Sequence, residues 1–240
     1  MKNMKSLIEI MDGDFERVIT MLDQKNVKYK SRVQLDHEDN SDFDYIPSIR
    51  LWVAKETTLH GEDWFGSHKG LQEQGLRMLT LPEFREYLKY LVSSDNPEHL
   101  KIYRDIIEIK DPYRGERVDA LFSNDGHHLE TNHILDSDGK LTPQYSKSVC
   151  SWCTSDHLRK EISLQDYLFR ASTDQGLPSR FAYHGEDMEY SPPGDCGHEK
   201  ESVCFESSRN KFVFNGHLDL LYKGAGLGVR AAKDPFSSLF

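Results

Sequence analysis

The sequence predicts an α+β domain from three observations: strict alternation in an early segment, well-capped amphipathic helices in the middle, and a C-terminal third of short aromatic alternations without helical period. From Ser48 to Ala54, Ile49, Leu51 and Val53 fall on one face, as in a half-buried strand. Between Gly75 and Val92, Thr80 and Glu83 spell a capping box, and Pro82 sits where a missing backbone N–H costs nothing. Leu81, Phe84, Leu88 and Leu91 then recur at three- and four-residue spacing, with Glu83, Arg85, Glu86 and Lys89 mostly opposite. Asn96-Pro97 opens a second helix. Leu100, Tyr103 and Ile107 line one of its faces and Ile102, Ile106 and Ile109 the next, so it is expected between layers and ends at Asp111-Pro112. Ser163 and Asp166 cap a third, short helix carrying Leu164, Tyr167 and Leu168, which Gly176-Leu-Pro178 ends. Phe181 to Tyr222 reads as strands and loops exposing mixed side chains, with alternation at Phe212-Val-Phe214.

Composition narrows the class. A chain of 240 residues, 37% hydrophobic and 29% charged, has the length for one large domain or two small ones and the balance of a soluble globular protein. No apolar stretch is long enough to span a bilayer, and the first residues meet acidic side chains before any signal-peptide core forms, so neither membrane insertion nor Sec-type export is expected. Virion, cell surface and cytoplasm stay open as locations. A formal charge of −10 without a basic block argues against nucleic-acid partners.

The first segment reads as a short helix from Asp14 to Gln24, with Phe15, Val18, Ile19 and Leu22 on one face. The run Asp36 to Asp44 could gather a divalent cation, but carboxylates without calcium-loop order read better as a solvated linker. The expected division is residues 1–45 as helical element and linker, and residues 46–240 as the main domain.

Several groups invite a metal reading. His60, Asp63 and His68 lie in what reads as a loop from Glu56 to Gln74, and His127, His128 and His133 follow later, but neither group has compact ligand spacing. Asp136-Ser-Asp-Gly139 reads as a tight turn between strands at 128–135 and 140–145, since Lys147 stands where a calcium loop needs Glu. Cys150, Cys153, Cys196 and His198 could form a zinc site; reduced thiols or one disulfide is the alternative. Arg114, Glu116, Arg117 and Asp119 form a charged cluster with the look of a catalytic group. The expectation is no metal and no cofactor.

The stretch Gly-Leu-Arg-Met-Leu-Thr-Leu-Pro-Glu-Phe at 75–84 resembles a helix entry of the C-type-lectin-like fold shared by formylglycine-generating enzymes and by variable proteins of diversity-generating retroelements. Leu227-Gly-Val-Arg-Ala-Ala-Lys233 looks like the closing strand of that fold. Between them, Tyr113 to Phe122, Ile162 to Leu168 and Gln175 to Pro178 are similar to segments of archaeal and archaeal-virus members. The resemblance covers roughly Ile46 to Lys233, and it implies that Arg114, Glu116, Arg117 and Asp119 are a structural joint held by ion pairs instead of a catalytic group. It implies a non-enzymatic protein that binds a protein or cell-surface ligand through a C-terminal segment diversified by a reverse transcriptase copying errors at template adenines. Substitution of Asn-type codons cannot reach Lys, Glu, Gln, Met or Trp, so Glu206, Lys211 and Lys223 are fixed or otherwise encoded. Asn210, Val213, Asn215, His217, Asp219, Leu220 and Tyr222 remain as the candidate binding surface. The other readings are an oxidase like the formylglycine-generating enzymes, for which a close cysteine pair near the closing strand is missing, and a calcium-dependent lectin, whose Glu-Pro-Asn, Gln-Pro-Asp and Trp-Asn-Asp signatures are missing too.

Overall fold

In a computed structural model of the chain, the described residues are 42–108, 114–123, 127–149, 159–181, 186–194, 200–208 and 211–235. The helix expected at Asp14 to Gln24, most of the acidic run, and Cys150, Cys153, Cys196, His198 and Asn210 lie outside them. The compact unit begins at Asp42 rather than Ile46. Strand β1 (Phe43–Ile46) pairs antiparallel with β2 (Leu51–Thr58), which draws Phe43, Asp44 and Tyr45 out of the expected linker and into the sheet. The strand expected from Ser48 therefore starts three residues later. Residues 47–50 form the turn, with Arg50 at a φ of 53° reversing the chain.

The fold is mixed α+β, with strand outweighing helix and an open sheet. Helix α1 (Trp64–Gln72) leads to the two-residue β3 (Arg77–Met78), then to α2 (Leu81–Val92) and α3 (Pro97–Ile107). Strands β4 (Arg114–Phe122), β5 (His128–Leu135), β6 (Leu141–Ser148) and β7 (Lys160–Ile162) precede the short α4 (Leu164–Phe169). Strands β8 (Met188–Ser191), β9 (Glu201–Ser208), β10 (Lys211–Asp219) and β11 (Leu227–Lys233) complete it. The sheet order is β1-β2-β11-β4-β9-β10-β8-β7, with β3 on β11 and the β5–β6 hairpin continuing from β4. Thus β11 lies between β2, antiparallel, and β4, parallel.

Helix α2 has the start its sequence specifies. The Glu83 carboxylate accepts from the Thr80 N–H at 2.9 Å and binds the Arg77 guanidinium at 2.8 Å through each oxygen, so one side chain closes the cap and ties it to β3. Leu81, Phe84, Tyr87, Leu88 and Leu91 are buried. Phe84 meets Phe205 of β9 with ring centroids 4.7 Å apart, and Phe205 meets Phe214 of β10 at 4.8 Å, so the helix sits on an aromatic floor. Gly176, at a φ of 82°, lies against the helix entry: a Cβ there would come within 2.9 Å of Leu81 Cγ and Pro82 N. The Tyr167 hydroxyl fixes that loop by donating to the Gly176 carbonyl at 2.8 Å. Helix α4 has already ended at Phe169, so Gly176-Leu-Pro178 shapes the following loop instead of terminating it.

Two other expectations change. Asn96 caps α3 by accepting from Glu98 N at 3.0 Å, but among its residues only His99 and Ile106 are buried, so α3 covers one side of the core instead of lying between layers. Residues 64–72 form α1 where a loop was expected. Asp63 caps it, accepting from Gly66 N at 2.7 Å, and Trp64, Ser67, His68 and Leu71 are buried at helical spacing. Two of those four core positions are polar, and that hides the periodicity from a hydrophobic pattern.

The hairpin expected around Asp136 to Gly139 is present. Asp136 Oδ1 accepts from Asp138 N at 3.0 Å and Lys140 N at 2.9 Å, while Gly139 supplies a φ of 77°. The charged cluster on β4 splits by face. Glu116 pairs with the buried Arg230 of β11, which also donates to the Ala54 and Lys55 carbonyls of β2. This ion pair joins three adjacent strands at the sheet centre.

Candidate functional site

Strand β10 and the turn after it hold the residues singled out in the sequence. Phe212 and Phe214 point into the main core, as their buried aromatic contacts show, while Asn215, His217 and Asp219 are half-exposed. The pairing with β9 shifts register between Asn215 and Leu218. Asn215 Oδ1 accepts from the His217 N–H at 3.0 Å, and His217 Nδ1 lies 3.1 Å from Ser191 Oγ of β8. Val213 is a correction: it is 4% exposed, because residues on both sides of the strand are covered at that level, and it presents no side chain to a partner. Leu220 is also drawn inward, packing against the smaller apolar cluster of Trp64, Leu71, Met78 and Leu121.

The turn from Asp219 to Gly224 is held by its backbone. Asp219 Oδ1 accepts from Leu221 N at 2.8 Å, and its carbonyl accepts from Tyr222 N at 3.2 Å. The Leu220 carbonyl accepts from Trp64 N at 3.0 Å, at the start of α1, and the Tyr222 carbonyl accepts from the Arg117 guanidinium of β4. Lys223 reaches Asp63 at 3.3 Å. On this fixed backbone Leu221 is 67% exposed and Tyr222 45% exposed. Leu221 was missed by the sequence reading, though its place between Leu220 and Tyr222 was the available signal.

Beneath the turn lies a group that sequence spacing does not show. His68 of α1, Asp119 of β4 and His133 of β5 are 1%, 3% and 4% exposed, and one donor atom from each falls within 4.8 Å of the others. His133 Nδ1 is 2.5 Å from Asp119 Oδ1, and His68 Nε2 is 3.7 Å from the same oxygen. Asp119 Oδ2 accepts from the His133 backbone N–H at 2.8 Å, which fixes the carboxylate. Trp64 packs on both imidazoles, with centroids at 4.2 Å and 4.9 Å. Among the described residues neither ring nitrogen of His68 has a hydrogen-bond partner, nor does His133 Nε2, which faces Glu130 at 3.9 Å. Burial pushes the His68 pKa down to about 4, with His133 lowering it further and Asp119 opposing.

The other members of the two histidine groups are engaged elsewhere. Asp63 caps α1, His60 lies 3.1 Å from Thr57 Oγ1 and His128 lies 3.3 Å from Ser148 Oγ. Among the described cysteines, Cys204 is a buried free thiol whose pKa burial drives well up, an inert state. A cleft of about 490 Å³ near Arg104, Asp187 and Lys211 intersperses charges of both signs and contains none of the candidate binding residues and none of the histidine–aspartate group. Compared with protein-family models, curated protein sequences and solved structures, the chain matches none of them.

Proposed function

We propose that this chain is a non-enzymatic ligand-binding protein, built on a C-type-lectin-like scaffold, whose binding face is the end of β10 and the Asp219–Gly224 turn, diversified by a retroelement. One observation carries the binding reading: large apolar side chains, Leu221 and Tyr222, stand in solvent on a turn whose backbone is tied to α1, to β4 and to itself. An exposed Tyr on a pre-ordered loop loses little conformational freedom when it binds, so its burial goes into affinity. Asn215, His217 and Asp219 flank it with polar groups able to orient a partner. The scaffold part of the reading is supported by the Arg77–Glu83 pair at the entry to α2 and by Gly-Val-Arg on β11, which occupies the sheet centre. Both motifs carry the family resemblance.

Two measurements test it. Leu221→Ser with Tyr222→Ser should leave the thermal midpoint within about 2 °C of the parent, as surface changes do, while abolishing capture of the parent's partner. Asn215, His217 and Asp219 are better changed separately, because the side chains of Asn215 and Asp219 accept from nearby backbone N–H groups and that of His217 meets the Ser191 hydroxyl. Sequencing the DNA around the gene should find a reverse transcriptase gene and a near-copy of the segment encoding this face, differing mainly at adenines. Retained capture by the double variant would remove the binding face, and absence of the near-copy would remove the diversification.

A further inference from the structure

We infer that His68, Asp119 and His133 bind a divalent metal ion of the zinc class, at a buried site that pins α1 to β4 and β5. Two imidazoles and one carboxylate are a donor set suited to such an ion, whereas calcium and magnesium take predominantly oxygen ligands. The donors are convergent: His68 Nε2 and His133 Nδ1 approach the same Asp119 oxygen, at 3.7 Å and 2.5 Å. An ion at their centre replaces the proton between His133 and Asp119 and needs only small shifts of these side chains.

A buried hydrogen-bonded trio without metal explains less. Both nitrogens of His68 are buried without a hydrogen bond among the described residues, and a buried polar group left so costs roughly 1–3 kcal/mol. The Asp119 carboxylate, equally buried, has no Arg or Lys within ion-pair distance among the described residues; its close side-chain partners are the two imidazoles, and the Arg77 guanidinium acts on it only from farther away. A cation answers both deficits at once, supplying a partner for His68 and a countercharge for Asp119. Glu130 stands behind His133 on the ring nitrogen that faces away from Asp119, with Lys200 holding it at 2.6 Å, in the place where metal-binding histidines usually have an outer carboxylate.

The three ligands come from a helix, a central strand and a hairpin strand, so the ion acts as a cross-link. Through α1 it also steadies Trp64, whose N–H supports the Leu220 carbonyl under the exposed turn. The metal site stands whether or not that turn binds a partner.

The test uses the full chain, stripped with chelator, desalted and titrated with zinc alone, then with cobalt as a spectroscopic substitute. One equivalent of zinc should remain after desalting, and the melting midpoint should rise by roughly 5–10 °C at a hundredfold excess over the dissociation constant. Bound cobalt should show nitrogen and oxygen ligation without thiolate charge transfer. His68→Gln should lose binding at least tenfold while Cys150→Ser keeps it. Well under one equivalent in the parent, a thiolate cobalt spectrum, or unchanged binding in His68→Gln would each overturn the site. The parent's own stoichiometry, melting shift and cobalt spectrum decide the matter even if the His68 variant does not fold.

Discussion

The buried pair between Glu116 and Arg230 offers the most quantitative test of how the sheet is held. Arg230 is 4% exposed; its guanidinium binds both oxygens of Glu116, donates to the Ala54 and Lys55 carbonyls, and lies 5.2 Å from the Tyr87 ring of α2. Glu116→Leu leaves that cation buried with carbonyl dipoles as its remaining acceptors, and Arg230→Met leaves a buried carboxylate in turn. Each single change should cost about 3–5 kcal/mol, the range for stranding one member of a buried ion pair. The double variant leaves no buried charge and similar volume, so its cost should fall below the sum of the singles by about 2–3 kcal/mol. Urea melts of all four proteins, with constant slope as the check on two-state behaviour, measure this coupling. Either single variant within about 1 kcal/mol of the parent, or additivity within about 0.5 kcal/mol, would show that the pair does not join β2, β4 and β11 as described.

Two further outcomes follow from the core. Phe84→Ala and Leu88→Ala each remove a fully buried side chain of α2 from the main core and should cost roughly 2–5 kcal/mol; urea midpoints matching the parent would displace α2 from the core. Burial raises the pKa of Tyr87 and of Tyr167, so above about pH 10 the unfolded chain loses protons that the native state keeps. Stability then falls with rising pH, by about 1.4 kcal/mol per unit for each such group, and Tyr167→Phe should make the alkaline slope shallower by one group's share. An unaltered slope would refute the assignment.

What was legible in the sequence is what short-range chemistry writes. Thr80, Pro82 and Glu83 mark the start of α2, Asn96 that of α3 and Ser163 that of α4, because a cap is settled within four residues by orphan N–H groups that need acceptors. Asp136 and Gly139 fix their hairpin the same way, while the strand Leu227–Lys233, which appears with the expected limits, was read from the family resemblance and not from local chemistry. Helix α1 escaped because Ser67 and His68 occupy core positions where a pattern search looks for apolar side chains. Val213 joined the candidate set because its codon class can be reached by adenine substitution, a rule that says nothing of burial; only the neighbouring layers decide that both faces of the strand are covered. The histidine–aspartate group depended most on tertiary structure. Each histidine family in the sequence contributed one member, His68 and His133, and Asp119 came from a cluster read as an ion-pair joint. No local spacing could select them, since three separate segments had to fold together before their donor atoms converged within 4.8 Å.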